Sequence, residues 1–280
     1  EAMHGLNIPT TRSLAVVKTG ENVMRDTYLP GAVLTRIASS HIRVGTFQYL
    51  AATQNDKNLK VLMDYVINRH YPNIKNSKNQ ALDLLKTLID VQINLVVNWM
   101  RTGFIHGVMN TDNMSISGET IDYGPCAFMD EYNPETVFSS IDQQGRYSFL
   151  NQPKIIKWNI ARFAECIIPF IDNDKDKAVE MATEAINTFE EIYQNKWLNM
   201  MRDKLGLFGE DINDQILIMD LLTWMHKNKV DYTNTFCFLM NEKFSFNEKY
   251  NNEDFIIWKK RWGDRLKLNN NTEEKYLKLM

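Results

Sequence analysis

The chain has 280 residues, 44% hydrophobic and 24% charged, with a formal net charge of −3. That is enough for one large domain or two small ones, with the composition of an ordinary soluble globular protein. With no long basic stripe, there is no electrostatic case for a nucleic-acid partner. No run of apolar residues is long enough to span a membrane, and none is expected as a partner. Residues 1–5 (EAMHG) carry neither a basic region nor an apolar core of a secretory signal. Cys126, Cys166 and Cys237 lie far apart and form no Cys-x-x-Cys pair, which argues against a disulfide framework or a zinc site. A cytoplasmic protein is expected, with a mitochondrial one left open for a eukaryotic source.

In chain order, residues 13–18 (SLAVVK) predict a strand, 19–21 a turn and 22–25 a segment pairing back. Pro30-Gly31 predicts a further break and residues 32–38 (AVLTRIA) a second strand. From about residue 47 the pattern becomes helical. Residues 81–102 place Leu84, Leu85, Leu88, Val91, Leu95 and Trp99 at three- and four-residue intervals, the mark of one buried stripe, and Gly103 ends the helix. Residues 153–168 predict a second helix with Pro in its first turn. A third covers 177–204, with Ala178, Ala182, Ala185, Phe189, Tyr193 and Met200 on one face. Residues 211–227 and 253–266 are further amphipathic candidates, and Trp and Met on these faces are expected in the core. The Asn/Lys-rich stretches 73–78 and 269–271 predict solvated loops.

Between the first two helices, residues 103–125 read GFIHGVMNTDNMSISGETIDYGP. The centre predicts a hairpin: 114–116, a turn at Ser117-Gly118, then 120–122. Phosphate chemistry on ATP needs a divalent metal, hard oxygen ligands for it, and a group that handles the hydroxyl proton. Asp112, Asn113 and Asp122 supply such a set if the hairpin brings Asn113 and Asp122 to one end. The protein-kinase pattern is His-Arg-Asp, Asn five residues on, then Asp-Phe-Gly. His106 and Asn113 match that frame, and Asp122-Tyr123-Gly124 stands where Asp-Phe-Gly would. The kinase catalytic Asp position is Val108, so the nearest replacement carboxylate is Asp112. His106 reads better as a loop brace than as a proton shuttle.

The stretch HGVMNTDNMSI…TIDYGP strongly resembles the signature of the selenoprotein O family, a group of pseudokinase-like protein adenylyltransferases. Residues 6–17 (LNIPTTRSLAVV), 31–49 (GAVLTRIASSHIRVGTFQY), 64–72 (DYVINRHYP), 142–153 (DQQGRYSFLNQP) and 231–236 (DYTNTF) resemble further family segments. The resemblance implies an α+β, protein-kinase-like fold: residues 1–46 as part of an N-lobe with short strands, and 47–280 as a helical C-lobe carrying the metal loop 104–125. It implies an enzyme that binds ATP in a flipped orientation and transfers AMP to Ser, Thr or Tyr hydroxyls of protein partners. By resemblance Asp112 is the proton acceptor, Asn113 and Asp122 hold Mg²⁺ or Mn²⁺, Asp122 also lies near the nucleotide, and Arg36 and Arg43 contact the ATP phosphates.

Departures from the family pattern make the chain look like an interior portion. A glycine-containing phosphate loop, a strand lysine and a helix glutamate are expected upstream, and a Cys-x-x-selenocysteine tail, where members have one, downstream. On its own the chain is therefore expected to be weak or inactive, with an exposed sheet edge and apolar surface. Gln143 stands where the family commonly has histidine. Two other functions remain open, a kinase-like phosphotransferase and a catalytically dead binding module.

Overall fold

A computed structural model describes residues 1–243 and 247–268; the predicted loop 269–271 and the end of the 47–280 region lie outside the described residues. Two compact units emerge. The first comprises residues 1–95, 110–123 and 158–186, and the second 96–109, 124–157 and 187 onward. The fold is mixed, with small sheets and a helical majority.

The first unit opens with a helical turn, α1 (Ala2–Gly5), and a long antiparallel ribbon of β1 (Arg12–Met24) and β2 (Tyr28–Ile37). The turn expected at 19–21 is a bulge inside β1. The register shifts between Lys18 and Asn22, and Gly20 takes the left-handed φ of +82° that such a bulge favours. The chain reverses later, where Arg25 N donates to Thr27 O at 3.0 Å. Nor does Pro30-Gly31 end β2. Pro30 pairs with Asn22 in a ribbon whose outer edges need no donor. Gly31 crosses the bulge where a Cβ would lie 2.8 Å from Thr19 Oγ1 and 2.9 Å from Glu21 O. Leu14, Val16, Val33 and Leu34 of the ribbon are exposed, an apolar surface that favours association.

Helices follow: α2 (Val44–Ala52), α3 (Asp56–His70) and α4 (Gln80–Thr102). Asn55 caps α3 by accepting from Asn58 N at 3.0 Å, and Leu59, Met63, Val66 and Ile67 form its buried stripe. The predicted stripe of α4 is buried at Leu84, Leu85, Leu88, Leu95 and Trp99, and Gly103 ends the helix at φ +70°. The second predicted helix is α5 (Gln152–Ile167), and within the first unit its Phe163 meets Phe47 edge-on at 4.9 Å. The predicted helix 177–204 is two, α6 (Lys175–Asn187) and α7 (Phe189–Lys204), interrupted at Thr188. Thr188 keeps right-handed angles (φ −68°, ψ −14°), and the β-branched side chain is a weak helix former there. All six residues of the predicted face are buried.

The second unit pairs β3 (Phe104–Ile105) with β4 (Ala127–Phe128) and adds α8 (Asp214–Asn228), α9 (Tyr232–Met240) and α10 (Glu253–Lys267). Trp258 and Trp262 are core residues with satisfied ring N–H groups, whereas Trp197 is only half-buried. Trp258 Nε1 donates to Leu217 O at 2.8 Å and Trp262 Nε1 to Leu205 O at 2.9 Å. Asp214 is fully enclosed and bonded by Arg202 Nε and Arg265 Nε, each at 2.7 Å. Cys126, Cys166 and Cys237 are free thiols, and among the described residues no helix is long and apolar enough to cross a membrane.

Lys204 makes a testable electrostatic feature of this unit. Its Nζ donates to Arg101 O at 2.6 Å and lies 4.1 Å from the Phe236 ring centre and 4.8 Å from that of Tyr232. Burial, reinforced by the charge of Arg101, pushes its ammonium down to about 7. Unfolded, the group titrates near ~10.4. Between these values the unfolded chain binds more protons, so this group makes stability rise with pH across that window. Melting temperatures of the parent and Lys204→Met between pH 7 and 9.5 should therefore converge or cross as pH rises, the variant being relatively favoured at the acidic end. Parallel profiles would contradict the shifted lysine.

Candidate functional site

Residues 110–123 belong to the first unit, and local hydrogen bonds set their shape. Asn110 caps a single 3-10 turn, Thr111–Asn113, with its Oδ1 accepting from Asp112 N at 3.1 Å. Asn113 N donates to Asn110 O at 3.0 Å. Asp112 and Asn113 are thus neighbours on one fixed turn.

The turn at Ser117-Gly118 is present, with Gly118 N donating to Ser115 O at 3.2 Å and φ +74° at Gly118. The arms of the expected hairpin take other partners. Val44 N donates to Met114 O at 3.0 Å and Ile116 N to Ile42 O at 2.9 Å, with Arg43 bridging Ser115. On the other side Thr120 N donates to Pro9 O at 2.9 Å, and Thr11 N to Thr120 O at 3.1 Å. Distant extended segments offer matching donors and acceptors, so the loop is stitched to residues 9–11 and 42–44. Buried side chains brace it further: Gln92 Nε2 donates to Ser115 O at 2.7 Å and Tyr71 Oη to Ile116 O at 2.5 Å.

This stitching places both candidate arginines on Asp122. Arg36 Nη1 lies 3.1 Å from Asp122 Oδ1, and Arg43 Nη1 lies 2.9 Å from Oδ2. Arg36 closes β2 and Arg43 precedes the first turn of α2, so two separate elements converge on one carboxylate. Asp122 has φ +53°, a left-handed conformation uncommon outside glycine that aspartate tolerates better than most residues. The next residue is held as well, since Tyr123 Oη is hydrogen-bonded to the Thr10 hydroxyl. The tyrosine in Asp-Tyr-Gly therefore supplies an anchor that phenylalanine lacks.

Asp112 belongs to the same patch through α2. Gly45, two residues beyond Arg43, is in close approach to the Asp112 side chain, lying where a Cβ would be 3.1 Å from Asp112 Cγ. Arg36, Arg43 and Asp122 are thus in direct contact, and Asp112 and Asn113 share a turn set against the helix that Arg43 begins. A carboxylate has about four lone-pair sites, so two arginine bonds leave Asp122 room for a cation. Its oxygens and the amide oxygen of Asn113 are of the hard kind that Mg²⁺ takes alongside phosphate and water.

His106 lies in the second unit, fully buried. Its N donates to Gln152 Oε1 at 3.0 Å, Gln152 Nε2 donates to Phe104 O at 2.9 Å, and its ring stands 5.4 Å from that of Trp99. It is a brace inside that unit. Sequence reasoning missed three contributors, Thr10, Gly45 and Glu119. Glu119 accepts from Ser39 N at 2.9 Å and Ser39 Oγ at 3.0 Å. Each acts through a partner tens of residues away, which no local pattern signals.

Guanidiniums converging on a carboxylate beside an Asp-Asn turn form an arrangement chemically suited to phosphate and a divalent cation. The chain belongs to the family described as Protein adenylyltransferase SelO, whose sequence pattern matches residues 1–279. It is similar to a Protein nucleotidyltransferase YdiU of Pelagibacter ubique, 64% identical over 280 residues, covering 100% of this chain and 58% of that protein. The Nitrosococcus oceani protein of the same name is 57% identical over 269 residues (96% of this chain, 55% of that protein). That of Halalkalibacterium halodurans is 53% identical over 281 residues (100% and 57%). The chain spans somewhat over half the length of these curated relatives.

Proposed function

We propose that this chain carries the phosphate- and metal-handling face of a protein adenylyltransferase that moves AMP from ATP to Ser, Thr or Tyr hydroxyls of protein substrates. The observation that carries the reading is the clasp of Arg36 and Arg43 on Asp122. Membership of the adenylyltransferase family supports it. On this reading the fold is protein-kinase-like, with residues 1–46 contributing to an N-lobe and 47–280 forming a helical C-lobe.

The roles follow from the chemistry of each group. Arg36 and Arg43 present forked, permanently charged donors to phosphate oxygens. Asp122 and Asn113 would hold the divalent ion, which when bound neutralises phosphate charge. Asp112, exposed at the edge of the same patch, accepts the proton of the substrate hydroxyl. The hydroxyl oxygen bonds to the α-phosphorus, the bond from that phosphorus to the β-bridging oxygen breaks, and pyrophosphate leaves. Val108 at the usual kinase base position favours this assignment over an ordinary kinase arrangement.

The test is label transfer from ATP marked at the α- or the γ-phosphate, with Mg²⁺ and a generic protein acceptor. This chain is run beside the reading frame that contains it. Incorporation of α-label alone is expected from the full reading frame. Incorporation of γ-label would instead establish a phosphotransferase, and ATP binding without either transfer a binding module.

A further inference from the structure

We infer that Gly45 is a positioning residue for Asp112: the missing side chain in the first turn of α2 gives the Asp112 carboxylate its place against that turn. This rests on the reading of Asp112 as the proton acceptor. A Cβ at Gly45 would overlap Asp112 Oδ1 outright and lie 3.1 Å from its Cγ and 3.6 Å from its Cα. Every atom in that tight set belongs to Asp112. The clash therefore concerns this one side chain and not general crowding.

Conformation does not explain the glycine. Gly45 is absent from the positive-φ residues, and it lies inside a regular helix where alanine ordinarily outranks glycine. Space is what the position requires. The Asp112 backbone is tied by its N–H bond to Asn110 Oδ1 at 3.1 Å, so the adjustment falls first on the side-chain torsions that aim the carboxylate. Alanine at position 45 must therefore turn the Asp112 side chain or shift its 3-10 turn. The clasp on Asp122 is left alone, since Arg36 and Arg43 reach that carboxylate without touching Gly45. A misplacement of about 1 Å at a reacting group can cost on the order of a hundredfold in rate.

The experiment combines kinetics with a stability cycle in the reading frame that contains this chain, using Gly45→Ala, Asp112→Ala and the double variant. For Gly45→Ala we expect kcat of α-label transfer to fall at least about tenfold, with KM for ATP within twofold of the parent (~2-fold). Gly45→Ala should lower the melting temperature when Asp112 is present. It should leave it unchanged or raise it in the Asp112→Ala background, where the overlapping atoms are gone and the ordinary helix preference returns. The double variant keeps the contact testable even if the single one folds poorly. Parental kcat in Gly45→Ala, with Asp112→Ala silent, would overturn the positioning role. An equal loss of melting temperature in both backgrounds would overturn the contact itself. Parental transfer by Asp112→Ala would remove the catalytic reading of Asp112, and the positioning role with it, whatever the stability cycle reports.

Discussion

Asp122→Asn in the reading frame that contains this chain is expected to reduce α-label transfer by about a hundredfold or more while leaving the protein folded. The rate effect has the scale on which losing one preorganised charge-stabilising group acts. The substitution removes the carboxylate onto which Arg36 and Arg43 converge, and with it the charged oxygen proposed for the metal. Stability should change little. The side chains of Arg36, Arg43 and Asp122 are 43%, 29% and 29% exposed, and ion pairs so open to solvent contribute about 0–1 kcal/mol each. Asparagine is preferred to alanine because the position sits at φ +53°, which asparagine tolerates and alanine does not. Label transfer and a denaturation curve on the same preparation separate the two effects. Retained transfer in the folded variant would remove Asp122 from the chemistry.

The largest stability effect is expected at Asp214. Its side chain is 0% exposed, those of Arg202 and Arg265 are 10% and 7% exposed, and Asp211 N adds a further bond at 3.0 Å. Arg265 Nη2 is also spent on Phe208 O and Gly209 O, both at 3.1 Å. Asp214→Ala leaves two buried guanidiniums facing one another without their shared counter-charge. Breaking a buried pair this way costs about 3–5 kcal/mol. The expected result is a much lower urea midpoint at unchanged slope.

The pH dependence gives a second check. Burial pushes the Asp214 carboxyl up, but the bonds from Arg265, Arg202 and Asp211 together outweigh it and hold the group below the usual carboxylate range. A depressed folded value means the stabilisation is complete above the unfolded pKa, about 3.9, and is lost as pH falls through the folded one. The gap between parent and Asp214→Ala should be full at neutral pH and narrow only below about pH 4. A gap that narrowed near pH 6 would point to a different group.

Much of the helical architecture was legible because a 3.6-residue repeat survives whatever the helix packs against. The stripe of Leu84, Leu85, Leu88, Leu95 and Trp99 is buried as predicted, and Gly103 stops α4. The ribbon was harder. Gly20 and Pro30-Gly31 are turn residues by local chemistry, yet both sit within paired strands. A bulge uses the same backbone angles as a turn, and only the partner strand decides between them.

By itself the sequence determined which chemistry the chain could hold. The order Asp112-Asn113, then Asp122, was visible as residue types at telling intervals and carried the family resemblance, while Arg36 and Arg43 became candidates only through that resemblance. Local rules also shaped the 3-10 turn, because Asn110 caps it from within the same few residues. Tertiary structure alone decided where these groups meet. The 86-position separation of Arg36 and Asp122 closes because 42–44 pairs with 114–116 and Thr120 pairs with 9–11. Backbone hydrogen bonds between distant segments carry no side-chain signature, so the pairing could not be read from composition or period. For the same reason Gly45 was silent in the sequence. Its meaning is a space left for another residue, and a space is defined only by what fills it.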